Sequence, residues 1–349
     1  MASAEETRAS TEASITPALH DIQLRYSIST ATVRTLSTAN VKTRQEVLQT
    51  VCNAAEFRTF PIKQQERAFF RSISEHSAIP YPVAGTVSQP WHKAFLLIQI
   101  DMQGEGWPNK LSAKARQELL QEGGKIYTLT DRVLRCLIDT LGHRGDGRGL
   151  RIALDVLRSV KARTREGGGK ELLQIPGIGQ AKMKKLVDAG ISNVKQLARL
   201  EFYHIERLLS RNPPFGQQMK HQLANFPVLA LRFDIIGRYG PPSTSEGVVP
   251  EATNADLVQS MWIARLVLGF QNEKVPAWGA TSTPWTTLVV EGQDGRLVWF
   301  WRGSVKRLTP DKEMFVALDL REGEELKVAF ACEEIVGTPV QVAHVVRQA

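Results

Sequence analysis

Near residue 226 the spacing of apolar residues changes period, and that change divides every fold this chain can adopt. Before it, apolar positions recur at three-and-four spacing, the signature of helices with one buried face. Ile126, Leu129, Val133, Leu134, Leu137, Ile138 and Leu141 mark the clearest such helix, with Thr128, Arg132, Arg135 and Asp139 on its opposite face. Residues 92–103 read as a strongly apolar helix suited to the middle of a bundle, and 42–56, 63–74 and 150–161 as further members. Gly145 to Gly149 reads as a turn between two helices. After residue 226 come short runs rich in Val, Ile, Leu, Phe and Trp, at 228–239, 256–270, 285–290, 296–305, 314–320 and 325–333. Gly, Pro, Asn and Asp separate them, and Asp294-Gly295 is a good hairpin turn. This texture predicts an antiparallel β-sandwich of immunoglobulin-like type.

The expected architecture is therefore multidomain α+β: a polar, disordered tail at 1–14, a helical bundle over 15–166, a helix-hairpin-helix with following helices over 170–225, and the sandwich over 226–349. Gly167-Gly168-Gly169-Lys170 lacks the spacing of a phosphate-binding loop and reads as a flexible linker. The polar loop 240–254 reads as mobile, and no internal repeat stands out. Trp262, Trp285, Trp299 and Trp301 read as core residues, with Trp299 and Trp301 facing one side of a sheet.

Composition removes several function classes. At 42% hydrophobic and 23% charged residues the chain is an ordinary globular mix. No apolar run approaches the roughly 18 residues of a membrane span, so no membrane association is expected. The first residues lack the apolar core of a signal peptide. Cys52, Cys136 and Cys332 are too few for a zinc quartet and suggest no disulfide framework, which fits a reducing compartment. The seven histidines show no metal-ligand spacing, so no metal is expected. Glu324-Glu325 and Glu333-Glu334 read as solvated pairs, and no serine–histidine or cysteine–histidine arrangement exists. No catalytic residue is expected.

Charge is more informative. The formal net charge is +8, and residues 151–220 alone hold 14 Lys+Arg and 6 Asp+Glu, leaving 30 and 30 elsewhere. A solvated lysine-rich face is one reading; the electrostatic footprint of a nucleic-acid-binding element is the other. Inside this block lies Ile175-Pro176-Gly177-Ile178-Gly179, followed by Lys182, Lys184 and Lys185. Pro176 stops one helix, and Gly177 and Gly179 allow a tight, unobstructed turn. The next helix aims its free N–H groups and positive dipole end at that turn. This is a helix-hairpin-helix pattern. It would grip DNA phosphates through Gly177, Ile178, Gly179 and the three lysines without reading sequence.

The order of features resembles the Sec-sixty-three homology module that follows the motor in Ski-two-like superfamily-two helicases. The resemblance rests on Gln174 to Gly179, then Lys185-Leu186-Val187-Asp188-Ala189-Gly190-Ile191, on Ala55-Glu56-Phe57-Arg58, Ala94-Phe95-Leu96-Leu97-Ile98-Gln99, and on Arg132 to Asp139. Asn212-Pro213-Pro214-Phe215-Gly216 makes it most similar to the meiotic crossover-promoting DNA helicases of the MER-three/HFM-one family. That likeness implies a nuclear protein, a strand-steering role for Arg132 and Arg135, and a sandwich that docks recombination proteins. It also implies a motor using ATP and magnesium in a longer parent. This chain has neither Gly-x-x-x-x-Gly-Lys-Ser/Thr nor Asp-Glu-x-His, so alone it is expected to need no cofactor and to unwind nothing. A spliceosomal-type RNA helicase cassette and a non-binding protein scaffold remain as alternatives.

Overall fold

The computed structural model describes residues 15–167, 169–238, 261–272, 276, 283–309 and 311–347. The tail predicted at 1–14 and the loop predicted at 240–254 lie outside the described residues. The bundle comprises α1 (Pro17–Tyr26), α2 (Thr30–Thr38), α3 (Arg44–Cys52), α4 (Arg67–His76), α5 (Pro90–Gln103), α6 (Ala113–His143) and α7 (Gly147–Ala162). Its helices begin where the sequence supplies caps. Thr43 and Glu46 close a reciprocal capping box at α3, and Ser112 and Asp146 cap α6 and α7. Helix α5 is buried along almost its whole length, as its uniform apolarity requires, and α3, α4, α6 and α7 pack around it.

Helix α6 spans 31 residues and starts well before the periodic stretch at 126–141. Gly123-Gly124 interrupts the apolar rhythm, yet Ala115 and Leu119 are buried before it. A Cβ on Gly123 would sit 3.7 Å from Leu97, ordinary contact, so the glycine fits inside the helix without breaking it.

The sandwich is built from β1 (Leu229–Arg238), β2 (Met261–Phe270), β3 (Trp285–Glu291), β4 (Leu297–Ser304), β5 (Lys312–Asp319), β6 (Glu325–Cys332) and β7 (Val340–Val345). One antiparallel sheet has the order β1-β2-β5 and the other β4-β3-β6-β7. Their inner faces share one core, including Phe233, Trp262, Leu266, Leu288, Val328 and Phe330. Trp299 and Trp301 oppose Val290 and Leu288 and lie partly buried on that core, on one side of the sheet. Trp285 departs from its expected core position: it is 44% exposed, with the Arg302 guanidinium 5.5 Å from its ring.

The four-stranded sheet also packs on the bundle. Leu288 and Val290 face the sandwich core, whereas Val289 joins the bundle core with Leu297 and Phe300. Two buried faces explain the unbroken apolar run from Leu288 to Val290 in this strand. The Gly145–Gly149 turn meets the β3–β4 hairpin: Arg148 N–H donates to Gly295 O at 2.9 Å and Leu297 N–H to Gly145 O at 2.6 Å. A Cβ on Gly147 would lie 2.8 Å from Arg296 O, so only glycine permits this approach.

Ion pairs complete the junction and correct two readings. Glu333 is not solvated; it is 1% exposed, held by Arg135 at 2.7 Å and Arg302 at 2.6 Å. Arg135 also pairs with Asp131 at 3.2 Å, so its guanidinium is turned into the bundle–sandwich contact and not out toward a strand of DNA. Glu324 is likewise buried and accepts from Arg296 at 2.8 Å. Burial pushes the Glu333 carboxyl up to about 7 despite the opposing pull of Arg135. Burial, reinforced by the Glu333 charge, does the same to Glu334, also to about 7. Unfolded, both release their protons near 4.5. The folded state therefore holds more protons between those values, and stability falls as pH rises from 4.5 to 7, then levels. Thermal melts across this range should show that slope, and Glu333→Gln should flatten it; an unchanged slope in the variant contradicts the assignment.

Candidate nucleic-acid interface

The hairpin domain has its own small core of Leu172, Ile175, Ile178, Met183, Leu186, Leu197, Ile205, Leu209, Met219 and Leu223, among others. A short 3₁₀ turn (Glu171–Gln174) leads into the hairpin, and α8 (Gln180–Asp188) leaves it. α9 (Val194–Arg199), α10 (Phe202–Leu209) and α11 (Phe215–Leu223) follow. The predicted flexible linker before this domain is instead pinned at its end. Lys170 Nζ donates to Gln103 O at 3.2 Å and Gln103 Oε1 at 2.8 Å, and Gln180 Nε2 donates to the same Gln103 carbonyl at 2.6 Å. These donors cap the C-terminus of α5, where carbonyls and the dipole favour positive charge.

In the hairpin, Ile175 and Ile178 point into the core while Pro176, Gly177 and Gly179 are exposed. Gly177 has φ +82°, which requires glycine. Gly179 is the N-cap of α8 with φ −97°, which any residue adopts, and it offers no side chain to the helix's first N–H groups. A Cβ on Gly179 would meet nothing within 4 Å. Nothing in this chain therefore demands glycine there. If a phosphate sits on the α8 N-terminus, Gly179→Ala should leave the melting temperature unchanged and weaken DNA binding by about tenfold, the worth of one charge-assisted contact. Calorimetry with DNA titration on the same variant checks both halves.

Lys182 Nζ donates to Gly177 O at 2.5 Å and lies 4.8 Å from the centre of the Phe215 ring. Arg211 approaches the same ring at 5.9 Å, and Lys185 Nζ reaches Ser210 Oγ at 3.4 Å. Desolvation, then the Arg211 charge, lowers the Lys182 pKa. Like charges are thus held close without a carboxylate between them. Lys184, about 200° around the helix from Lys182, is exposed on the other flank. The structure brings Gly177, Ile178, Gly179, Lys182 and Lys185 together. Arg132 belongs to α6 in the bundle, half-buried, with an enclosed Nε that has no hydrogen-bond partner among the described residues.

Arg211 and Phe215 were not singled out as site residues from the sequence. They sit in a second hairpin between α10 and α11, whose Pro213-Pro214-Phe215-Gly216-Gln217 echoes Pro176-Gly177-Ile178-Gly179-Gln180. That echo was the available signal. Gly216 N–H donates to Glu206 Oε1 at 2.8 Å, and a Cβ on Gly216 would overlap the Phe202 carbonyl, so this glycine serves helix packing. Residues 171–223 carry eight Lys+Arg, and among the described residues none forms an ion pair. Elsewhere Arg135, Arg151, Arg158 and Lys161 are all paired.

A bundle, a hairpin domain and a sandwich in contact define a three-part module, and the Lys+Arg of its central domain form no ion pair among the described residues. The Sec63 Brl domain family matches residues 18–343, and the chain belongs to that family. It is 27% identical over 198 residues to ATP-dependent DNA helicase MER3 of Saccharomyces cerevisiae, covering 54% of this chain and 16% of that protein. It is 21% identical over 327 residues to the probable ATP-dependent DNA helicase HFM1 of Homo sapiens, covering 90% of this chain and 21% of that protein. The MER3 homolog of Oryza sativa is 24% identical over 202 residues, 55% of this chain and 16% of that protein. The chain thus spans about a fifth or less of the length of these relatives. Among the described residues no helix is long and apolar enough to cross a membrane.

Proposed function

We propose that the chain is a post-motor DNA-binding and protein-docking module of an ATP-dependent meiotic DNA helicase of the nucleus. The observation that carries this reading is the group of Lys182, Lys185 and Arg211, unpaired among the described residues, beside the exposed N-terminus of α8. Main-chain N–H groups at Gly177 to Gly179 and the α8 terminus bind a backbone phosphate, and Lys182 and Lys185 add charge. Lys184 contributes from the other flank. Such contacts read no bases, so binding is independent of sequence. The names of the relatives support DNA as the partner. ATP and magnesium belong to the motor of a longer parent, and the sandwich offers a surface to recombination proteins.

Fluorescence anisotropy with single-stranded, duplex and branched DNA at several salt concentrations tests the reading. Affinity should fall linearly with salt on a log–log plot, with a slope of about 0.7 per phosphate contact on single strands and about 0.9 on duplex. A single-stranded RNA of equal length competing better than DNA would favour an RNA-helicase cassette. Absence of any nucleic-acid binding at low salt would favour a protein scaffold.

A further inference from the structure

The hairpin domain carries a second feature that backbone binding leaves unused. The first turn of α10 is exposed at four consecutive positions, Glu201 to His204. Two of these are large aromatics: Phe202 is 39% and Tyr203 52% exposed. Their rings lie 5.6 Å apart, edge to face, and the His204 ring lies 4.3 Å from Tyr203. Helical phase explains how they come to stand in solvent. Phe202 continues the buried stripe of Ile205 and Leu209 but lies in the first turn of the helix, at the edge of that core, and stays 39% exposed. Tyr203 falls on the outer face, one turn before the exposed Arg207.

This pair stands on the same small domain as the unpaired cations, with the exposed Arg207 one turn from Tyr203. Gly177 O holds Lys182, Lys182 covers the Phe215 ring, and Gly216 packs directly on the Phe202 carbonyl. The two hairpins are thus joined through Lys182 and Phe215, and the second packs on the first turn of α10, which carries Phe202 and Tyr203. Unpaired cations with exposed aromatic faces beside them are the two elements from which sequence-tolerant single-strand binding is built: charge follows the backbone, and rings accept unstacked bases. In a duplex the base faces are already stacked on one another and cannot reach a side chain. We propose that Phe202 and Tyr203 form a base-stacking platform that makes this module prefer single-stranded DNA, with the backbone led there from the hairpin by Lys182 and Arg211. The proposal rests on the backbone-binding reading above and adds to it the form of DNA that is bound and the residues that select it.

The test uses the whole chain with a fluorescent oligo-dT of about 20 nucleotides and a duplex of the same length, each of which exceeds the site of a single small domain. Phe202→Leu/Tyr203→Leu keeps helix-compatible apolar side chains and removes both ring faces. It should weaken oligo-dT binding by about tenfold or more, the worth of one stacked base, while duplex binding changes by less than about twofold. Tyr203→Trp should retain or tighten oligo-dT binding. Photocrosslinking of a 5-iodouracil oligonucleotide should place the adduct on Tyr203. Unchanged oligo-dT affinity in the double leucine variant overturns the proposal, and so does an equal loss on both DNAs, because that pattern makes the rings structural. Lys182→Glu/Lys185→Glu separates the two readings: it should weaken both DNAs, and if it weakens neither, backbone binding itself fails.

Discussion

Reversing Lys182 and Lys185 to glutamate should weaken binding to single-stranded, duplex and branched DNA alike, by about 30- to 100-fold at moderate salt, and lower the log–log salt slope on single strands by about 1.4, two contacts at 0.7 each. Both lysines project from α8 toward the second hairpin, where Lys182 lies over Phe215 and Lys185 touches Ser210. Among the described residues their charges have no carboxylate partner, so a phosphate gains their attraction without breaking an ion pair. Reversal turns that attraction into repulsion beside Gly177, where the phosphate is held by main-chain groups. Both side chains are partly or fully exposed, so the folded state should survive with little loss. Lys184→Glu serves as the internal comparison, since it faces the other flank and should cost less affinity. Lys161→Glu is a poor control, because Lys161 pairs with Asp131 at 3.5 Å. Anisotropy titrations at three or more salt concentrations, with circular dichroism on each variant, measure the effect. Full affinity in the double variant would remove the hairpin from the DNA-binding surface.

Legibility in the sequence followed the physics of each element. The bundle and sandwich could be read because a helix or strand that buries one face must repeat its apolar residues at that element's period. The first hairpin could be read because Pro176 and Gly177 have a backbone reason to stand where they do, and Gly179 leaves the α8 terminus open. What depends on pairing across domains could not. Arg135 sits on the polar face of α6 in any helical projection, and only folding shows that Glu333, nearly two hundred residues later, covers it. Glu333-Glu334 follow a strand and read as solvent-facing, because nothing local reveals that the bundle closes over them. The net charge had the same fault. Part of the basic block belongs to α7 and is neutralised there, through Arg151 with Glu291 and Arg158 with Asp155 and Glu166. The portion in the hairpin domain carries eight Lys+Arg with no ion pair among the described residues, which makes the candidate surface smaller than the sequence block.

Replacing Lys93 with methionine should be the most destabilising single change in the bundle, by about 3–5 kcal/mol, although it removes a charge from an apolar helix. Lys93 lies in α5 at 0% exposure, and its Nζ pairs with Glu66 at 2.7 Å and Glu122 at 2.5 Å. Glu66 is itself fully buried, and its Oε2 also accepts the Lys63 backbone N–H at 3.0 Å, closing the turn into α4. Lys63 reaches Glu122 at 2.8 Å and Glu118 at 3.2 Å, so the two lysines tie the α4 entry, α5 and α6 together. Methionine matches the lysine stem in volume, and packing alone would tolerate it. The penalty comes from Glu66, left buried with no cation to offset its lost hydration. Burial disfavours the Glu122 charge, but hydrogen bonds from Lys63 and Lys93 outweigh it and hold that carboxyl below its usual range. Removing Lys93 should raise it, so the stability lost by the variant should be largest near neutral pH and shrink as pH falls and the stranded carboxyls take up protons. Urea titration gives the loss directly, and a fall in melting temperature of about 10 °C should accompany it. Adding Glu66→Gln removes the stranded charge and should recover part of the stability, which separates an electrostatic penalty from a packing one. The DNA affinity of the folded variant should match the parent, because the hairpin domain has its own core. A loss below about 1 kcal/mol for Lys93→Met would mean that water reaches Glu66 and that the pair contributes little.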